Sequence, residues 1–138
     1  MKIRSFAHSD EAAVIDLWQR CGLTRPWNNP RFDIERKLTV QPELFVVGEK
    51  GGKIVACAMA GFDGHRGWLN YLAVDPACRF QGLGRQLMVH LEMQLQAIGC
   101  PKLNLQVRSG NEEALAFYRS LGYAVDDVVS FGKRLIAD

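Results

Sequence analysis

The stretch from residue 68 to residue 107 constrains the fold more than any other part of the chain. An apolar run over Trp68–Val74 ends at Asp75-Pro76, and a run that alternates apolar and polar residues covers Leu103–Val107. Between them, Leu83–Ile98 carries leucines at helical spacing on one face. Two strands joined by a single helix lie parallel in one sheet, with a right-handed crossover. We therefore expect a parallel strand pair with a helix packed against it.

The loop that leads from the first of these strands into the helix has the features of a phosphate-binding loop. It spans Arg79–Arg85 and contains two glycines, Gly82 and Gly84. Amide groups at a helix start lack partners within the helix, and the helix dipole favours an anion there. Glycines allow the backbone to approach a ligand, and Arg79 and Arg85 add positive charge. The alternative is a polar strand-to-helix turn that binds nothing.

Two better-known nucleotide loops do not match this sequence. A dinucleotide loop requires Gly-x-Gly-x-x-Gly, and the position of the third glycine is Leu87 here. The Lys-Ser or Lys-Thr pair that ends a nucleoside-triphosphate P-loop occurs nowhere in the chain. A flavodoxin-like mononucleotide module is a further alternative, and it would require a mainly parallel sheet.

Two motifs, in this order, resemble the GNAT superfamily of N-acetyltransferases. Arg79-x-x-Gly82-x-Gly84 matches the family's pyrophosphate motif for acetyl-CoA, (Arg/Gln)-x-x-Gly-x-(Gly/Ala). The segment 111–123 is similar to the family's Asn-x-x-Ala-x-x-(Phe/Leu)-Tyr-x-x-x-Gly-(Phe/Tyr). The segments 25–30 and 61–67 look like those of a small bacterial group, the YpeA-like acetyltransferases. This resemblance covers nearly the whole chain and implies a splayed parallel pair with the pantetheine arm in the gap.

Periodicity and turn residues predict a mixed α/β fold with the element order βααβββαβαββ in one domain, 1–138. Hairpin turns at 50–53 and 63–67 make part of the sheet antiparallel, which argues against the flavodoxin-like alternative. The predicted strands cover 3–6, 44–49, 54–62, 68–74, 103–107, 123–125 and 129–136, and the predicted helices cover about 10–21, 30–38, 83–98 and 111–121.

Composition narrows the function classes. The net charge of +2, with no run of five basic residues, gives no reason to expect nucleic acid as a partner. No apolar segment approaches signal or membrane-spanning length, so we expect neither secretion nor a membrane partner. Four cysteines without a Cys-x-x-Cys pair and three scattered histidines predict reduced thiols, no metal site and a cytoplasmic location.

The resemblance also implies roles for individual residues. The backbone of Leu72–Val74 would hydrogen-bond the pantetheine, and one N–H there would polarise the thioester carbonyl. Tyr118 would protonate the coenzyme A sulfur, and Asn111 would cap its helix and reach the pantetheine. The alternatives are ordinary strand pairing for the backbone and a core role for Tyr118. The expected contacts of acetyl-CoA, the co-substrate, are Leu72, Ala73, Val74, Arg79, Phe80, Gln81, Gly82, Leu83, Gly84, Arg85, Asn111 and Tyr118.

The base that deprotonates the acceptor amine is not identified by the motifs. Family members often carry a glutamate at one of two positions, which are Trp68 and Gln106 here. His65, Asp63 or Glu49, acting through water, are the candidates, and turn formation is the alternative role of the first two. The missing carboxylates also leave open a non-catalytic module that senses acyl-CoA.

The acceptor would be a small molecule or peptide that carries a primary amine. We expect it at the end of the splay opposite the phosphate loop, in contact with Arg25, Trp27 and Asp63. An exposed loop tryptophan is suggestive of binding, although such a residue can equally fold onto the core. The sequence leaves open a homodimer formed through an edge strand at 130–136.

Overall fold

The computed structural model describes residues 1–138 and contains one sheet with helices on both faces. The strands are β1 (Lys2–Ser5), β2 (Phe45–Lys50), β3 (Lys53–Phe62), β4 (Gly67–Val74) and β5 (Leu103–Leu105). The helices are α1 (Glu11–Arg20), α2 (Pro30–Lys37), α3 (Leu83–Ala97) and α4 (Glu112–Ser120), with short 3₁₀ turns at His8–Asp10, Pro42–Leu44 and Pro76–Cys78. No helix combines the length and the apolar character needed to cross a membrane.

The strands lie in the sheet in the order in which they occur in the chain. Neighbours from β1 to β4 are antiparallel, and only β4 and β5 are parallel. The predicted crossover is therefore confirmed, because α3 links β4 to β5. A single parallel pair is also incompatible with the flavodoxin-like alternative.

Each face of the sheet has its own core, because alternate side chains of a strand point to opposite faces. Cys57 and Met59 of β3 pack with residues of α1 and α2, among them Trp18. Ala56, Ala58 and Ala60 lie on the other face with the leucines of α3. Since alanines are small, α3 can lie close to the sheet, and α4 packs against the same core through partly buried residues.

The parallel pair separates after three residues. β5 pairs only with residues 67–69 of β4, so residues 70–74 have no partner strand on that edge. A β-bulge lies in the same stretch, where Tyr71 and Leu72 oppose the single residue Ala58 of β3. Tyr71 has φ of 54°, in the left-handed region that side chains other than glycine rarely adopt. This geometry confirms the predicted splay.

Asparagine side chains cap two helices, and the cap at Asn111 was predicted. The side chain of Asn29 accepts a hydrogen bond from the Arg31 amide at 3.0 Å, and Asn111 accepts one from the Ala114 amide at 3.1 Å. Both bonds satisfy amides that have no partner within the helix.

The predicted strands at 123–125 and 129–136 are wrong. Residues 124–138 form no strand, and the apolar side chains of Val125, Val129 and Phe131 are largely exposed. A strand needs a backbone partner, and β5 offers only three residues at this edge of the sheet. The segment is instead attached by side chains, as in the ion pair of Asp126 with Lys102. The edge strand through which a homodimer could have formed, at 130–136, is therefore absent.

An ion cluster at the start of the chain joins β1, β2 and the 3₁₀ turn before α1. Arg4 donates to both carboxylate oxygens of Asp10, at 2.7 and 2.9 Å, and to Glu49 at 2.6 Å. Asp10 is buried and also accepts the Ala7 amide at 2.8 Å. Hydrogen bonds from Arg4 are the main reason why the pKa of Asp10 is below its ordinary value.

We predict that Asp10→Ala lowers the free energy of unfolding at pH 7 by roughly 2 kcal/mol, because a charged hydrogen-bond acceptor is lost. Because the pKa of Asp10 is lower in the folded than in the unfolded protein, its carboxylate stabilises the fold fully at pH values above the unfolded pKa of about 4. This stabilisation is lost as the pH falls through the pKa of the folded state. The difference between variant and parent in urea unfolding should therefore shrink in acid. Asp16→Ala is the control, since its pair with Arg20 is exposed and should contribute under about 0.5 kcal/mol. Equal losses for both variants would contradict the prediction.

Candidate active site

The loop after β4 ends in a helix start whose amides are not capped by any side chain. Asp75 first turns the chain by accepting the Ala77 amide at 2.9 Å. Phe80 and Gly82 then have left-handed φ values of 64° and 76°, and α3 begins at Leu83. Because no side chain caps this helix, the amides of its first turn remain available to an anion.

Three cationic side chains surround this loop. Arg79 pairs with Glu113 at 3.2 Å, whereas Arg85 is exposed and forms no ion pair. The third is Lys50, at the end of β2, whose Nζ donates to the Gln81 side chain at 2.7 Å. Sequence reasoning missed Lys50 at this site, because Lys50 lies 31 positions from Gln81 and its only local signal is that of a hairpin turn.

The open edge of β4 leads directly to this loop. Residues 70–74 have no neighbouring strand on the side of β5, and Asp75 follows at once. On this stretch the carbonyl of Val74 accepts a hydrogen bond from the Cys21 thiol at 3.3 Å. An extended backbone edge and a group of free amides therefore form one continuous polar surface, which fits an elongated ligand with an anionic end.

Tyr118 lies on α4, half-buried beside this surface. Its ring meets Phe117 and Tyr123 edge to face, with centroids at 5.0 and 5.9 Å. Burial raises the pKa of Tyr118 to about 12. With this pKa the hydroxyl keeps its proton at neutral pH, and because it donates to no protein group the donor is free.

Sequence comparison agrees with this geometry. The profile of the acetyltransferase (GNAT) family matches residues 7–123. The chain belongs to the GNAT family. It is 49% identical to an acetyltransferase of Pectobacterium atrosepticum and 50% identical to one of Yersinia enterocolitica, in each case over the whole of this chain and 98% of the relative. With such relatives, it is an acetyltransferase.

Solved structures show the same fold. Ard1 of Thermoplasma volcanium is 26% identical, with a TM-score of 0.79 over 91% of this chain and 83% of that protein. The ribosomal-protein-S18-alanine N-acetyltransferase of Escherichia coli is 31% identical, with a TM-score of 0.72 over 88% of this chain and 76% of that protein.

The two glycines of the GNAT loop have different tasks. A Cβ on Gly82 would meet nothing within 4 Å, and this residue is required for its left-handed φ. A Cβ on Gly84 would lie 3.0 Å from Cζ of Phe117. Gly84 therefore allows α3 to pack against α4, and its contact with acetyl-CoA stays a prediction.

Asp63 and His65 lie away from the open edge of this acetyltransferase. Their turn connects β3 to the end of β4 that is paired with β5. Asp63 accepts the amides of Arg66 and His65, each at 2.8 Å, and these bonds lower its pKa. The imidazole of His65 is exposed and has no hydrogen bond to the protein. This placement argues for turn formation and against both residues as a base, and against Asp63 as an acceptor contact.

The two other candidate acceptor contacts differ in their availability. Arg25 folds back onto its own loop and donates to the carbonyls of Gly22 and Thr24, at 2.7 and 2.8 Å. Trp27 is 57% exposed and lines a cavity of about 460 Å³ with Arg36 and residues 132–136. Trp27 is thus the more accessible of the two, and a contact of either residue with the acceptor stays a prediction.

Sequence reasoning missed a polar cluster beside the open edge. The Tyr71 hydroxyl donates to Asp33 at 2.5 Å and accepts from Asn28 at 2.9 Å, and Asn28 also donates to Asp33. Trp18 stacks on the Tyr71 ring with centroids 3.9 Å apart. Asn28 lies in a loop, Asp33 on α2 and Tyr71 on β4, and each has an ordinary local explanation there. Only their tertiary contacts reveal the cluster.

We predict that Gly84→Ala couples to Phe117 in a double-mutant cycle. In the parent the added Cβ crowds the Phe117 ring, and this strain opposes the gain in helix propensity of about 1 kcal/mol. In a Phe117→Ala background the same substitution should be more favourable by at least about 1 kcal/mol in urea unfolding. Ala97→Gly, at the end of the same helix, is the control, because it measures the difference in helix propensity between alanine and glycine without a contact with Phe117. Additive effects would show that Gly84 has no packing role.

Proposed function

We propose that this protein moves an acetyl group from acetyl-CoA to a primary amine by direct attack within a ternary complex, and that residues 1–138 act as one domain. The observation that carries the proposal is the unpaired edge of β4 at 70–74, which ends at the uncapped amides of α3. The pantetheine would add to this edge like a short strand, and the diphosphate would bind the amides. The co-substrate supplies an acetyl thioester as the electrophile.

The acceptor that we propose first is the α-amine of a peptide or protein. This class is favoured by the likeness to the alanine N-acetyltransferase that acts on ribosomal protein S18, at 31% identity. A loop tryptophan beside a cavity, Trp27, fits an extended peptide better than a site closed around a small molecule.

Different groups of the site act in different steps of the proposed reaction. A main-chain N–H of Leu72–Val74 polarises the thioester carbonyl, since this edge lacks a strand partner. Tyr118 donates its proton to the departing sulfur. We expect no acyl-enzyme, because the four cysteines are free thiols without a histidine partner. Free thiols also fit a reducing compartment, and we propose a cytoplasmic location.

Two measurements test this function. Calorimetry with acetyl-CoA should detect binding, and release of the free thiol should be measured with trialanine amide, an N-terminally blocked lysine peptide, spermidine and kanamycin. Thiol release that depends on one of these amines supports the proposal, and a preference for trialanine amide supports the acceptor class. Binding of acetyl-CoA without amine-dependent release would instead favour the non-catalytic module, and absence of binding would refute the proposal altogether.

We predict that Tyr118→Phe lowers kcat by at least about tenfold while KM for acetyl-CoA changes little, because only the proton donor is lost. Tyr123→Phe is the matched control, since its hydroxyl is engaged by Glu92 and takes no part in the reaction. As burial raises the pKa of Tyr118 to about 12, the parent should show no loss of the acid below about pH 10. Turnover of Tyr118→Phe equal to that of the parent would discard the assignment.

A further inference from the structure

The polar cluster of Asn28, Asp33 and Tyr71 adjoins the part of β4 that would hold the thioester. Tyr71 immediately precedes Leu72 and belongs to the unpaired stretch. Its left-handed backbone is held in place by the bulge and by stacking on Trp18. Strained backbone of this kind persists where surrounding contacts enforce it, often at functional sites. Asp33 is therefore hydrogen-bonded to the residue that directly precedes the proposed thioester contacts at Leu72–Val74.

Asp33 retains capacity to bind a donor. Its Oδ2 already accepts hydrogen bonds from Tyr71 and Asn28. Its Oδ1 has a single contact, Nη1 of Arg36 at 3.4 Å, which is long for a hydrogen bond. The side chain is 21% exposed, so an incoming ligand can reach it. One carboxylate oxygen is thus fixed by the protein, and the other is open.

The arginines around Asp33 are directed mainly at another carboxylate. Nη2 of Arg36 binds Asp138 at 2.6 Å, a much closer contact than its 3.4 Å to Asp33. Arg134 lies 3.5 Å from Asp138 and donates to the Asn28 side chain at 2.9 Å. Asp138 therefore takes the closest arginine contact, and Asp33 keeps only the long contact with Arg36.

Resting on the proposed function and going beyond it, we propose that Asp33 is the carboxylate that positions the acceptor amine. As the nitrogen–carbon bond forms, positive charge develops on the nitrogen and negative charge on the carbonyl oxygen. The carbon–sulfur bond then breaks and the sulfur takes the proton of Tyr118. The nitrogen loses its surplus proton to water, and the Tyr118 phenolate takes a proton back from water, so that the proton count balances. A carboxylate that accepts N–H hydrogen bonds is most favourable when the nitrogen is charged, so Asp33 acts on the transition state. Asp33 thus supplies a carboxylate for the amine in a chain that has none at positions 68 and 106, but it acts by its charge and not as the base.

The test compares Asp33→Asn with the parent, using the amine from the four-member panel that gives the highest kcat/KM. Removing the charge should lower kcat/KM for that amine by roughly 10- to 100-fold, the value of a charge-assisted hydrogen bond. The Kd of acetyl-CoA from calorimetry and the melting temperature should stay close to those of the parent, which separates positioning of the amine from a structural role. Glu35→Gln is the matched control on the same helix, because its side chain is exposed and makes no hydrogen bond.

A second variant covers the case in which Asp33→Asn does not fold. Tyr71→Phe keeps the stacked ring but removes the hydroxyl that orients Asp33, so kcat/KM for the amine should fall by at least about threefold with unchanged acetyl-CoA affinity. Parent-like amine kinetics in the folded variants would overturn the role of Asp33 and leave the proposed function intact. Absence of thiol release from the parent with all four amines would overturn the proposed function and the role of Asp33 with it.

Discussion

The short pairing of β4 with β5 is the constraint on which the site depends. A parallel strand pair normally satisfies its backbone groups along its length, but here the ladder stops after Leu69 and Leu105. The bulge at Tyr71 inserts one extra residue into β4 relative to β3, and the resulting bend increases the divergence of β4 from β5. Apart from the Val74 carbonyl, which accepts the Cys21 thiol, the backbone polar groups that residues 70–74 direct toward the β5 side are left to water or to a ligand. Unpaired groups of this kind give an extended ligand a place to bind.

The sequence predicted correctly those features that depend on residues close together in the chain, namely helices, helix caps and the loop at 79–85. Helical spacing of leucines found α3, and the asparagines at 29 and 111 cap helices because their partners lie two or three positions away. The loop at 79–85 was identifiable for the same reason, since a strand, glycines and a helix follow one another in the chain. The final strands were predicted wrongly because a strand forms only against a partner edge, and no local pattern reports that β5 is three residues long.

The catalytic environment was less accessible to sequence reasoning because its residues meet only after folding. Asp63 and His65 were candidates for the base because they are polar residues in a glycine-containing turn. That turn lies at the end of β4 that is paired with β5. Gly84 matched a ligand motif, while its close neighbour is the Phe117 ring of another helix. Asp33 carried no signal, since an aspartate on a polar helix is ordinary until Tyr71 is found to hydrogen-bond it.

Charge is distributed unequally along the open edge of β4. Arg79, Arg85 and Lys50 surround the loop at one end, whereas Asp33 lies beside Tyr71, where the unpaired stretch begins. Acetyl-CoA is anionic at its diphosphate, and an acceptor amine is cationic before it loses its proton. In the proposed complex the diphosphate would be attracted to the basic loop, and the amine to Asp33, whose neighbouring arginines make their closest ion pair with Asp138. Separate places for the two charged groups would allow both substrates to be bound at one time, as direct transfer in a ternary complex requires.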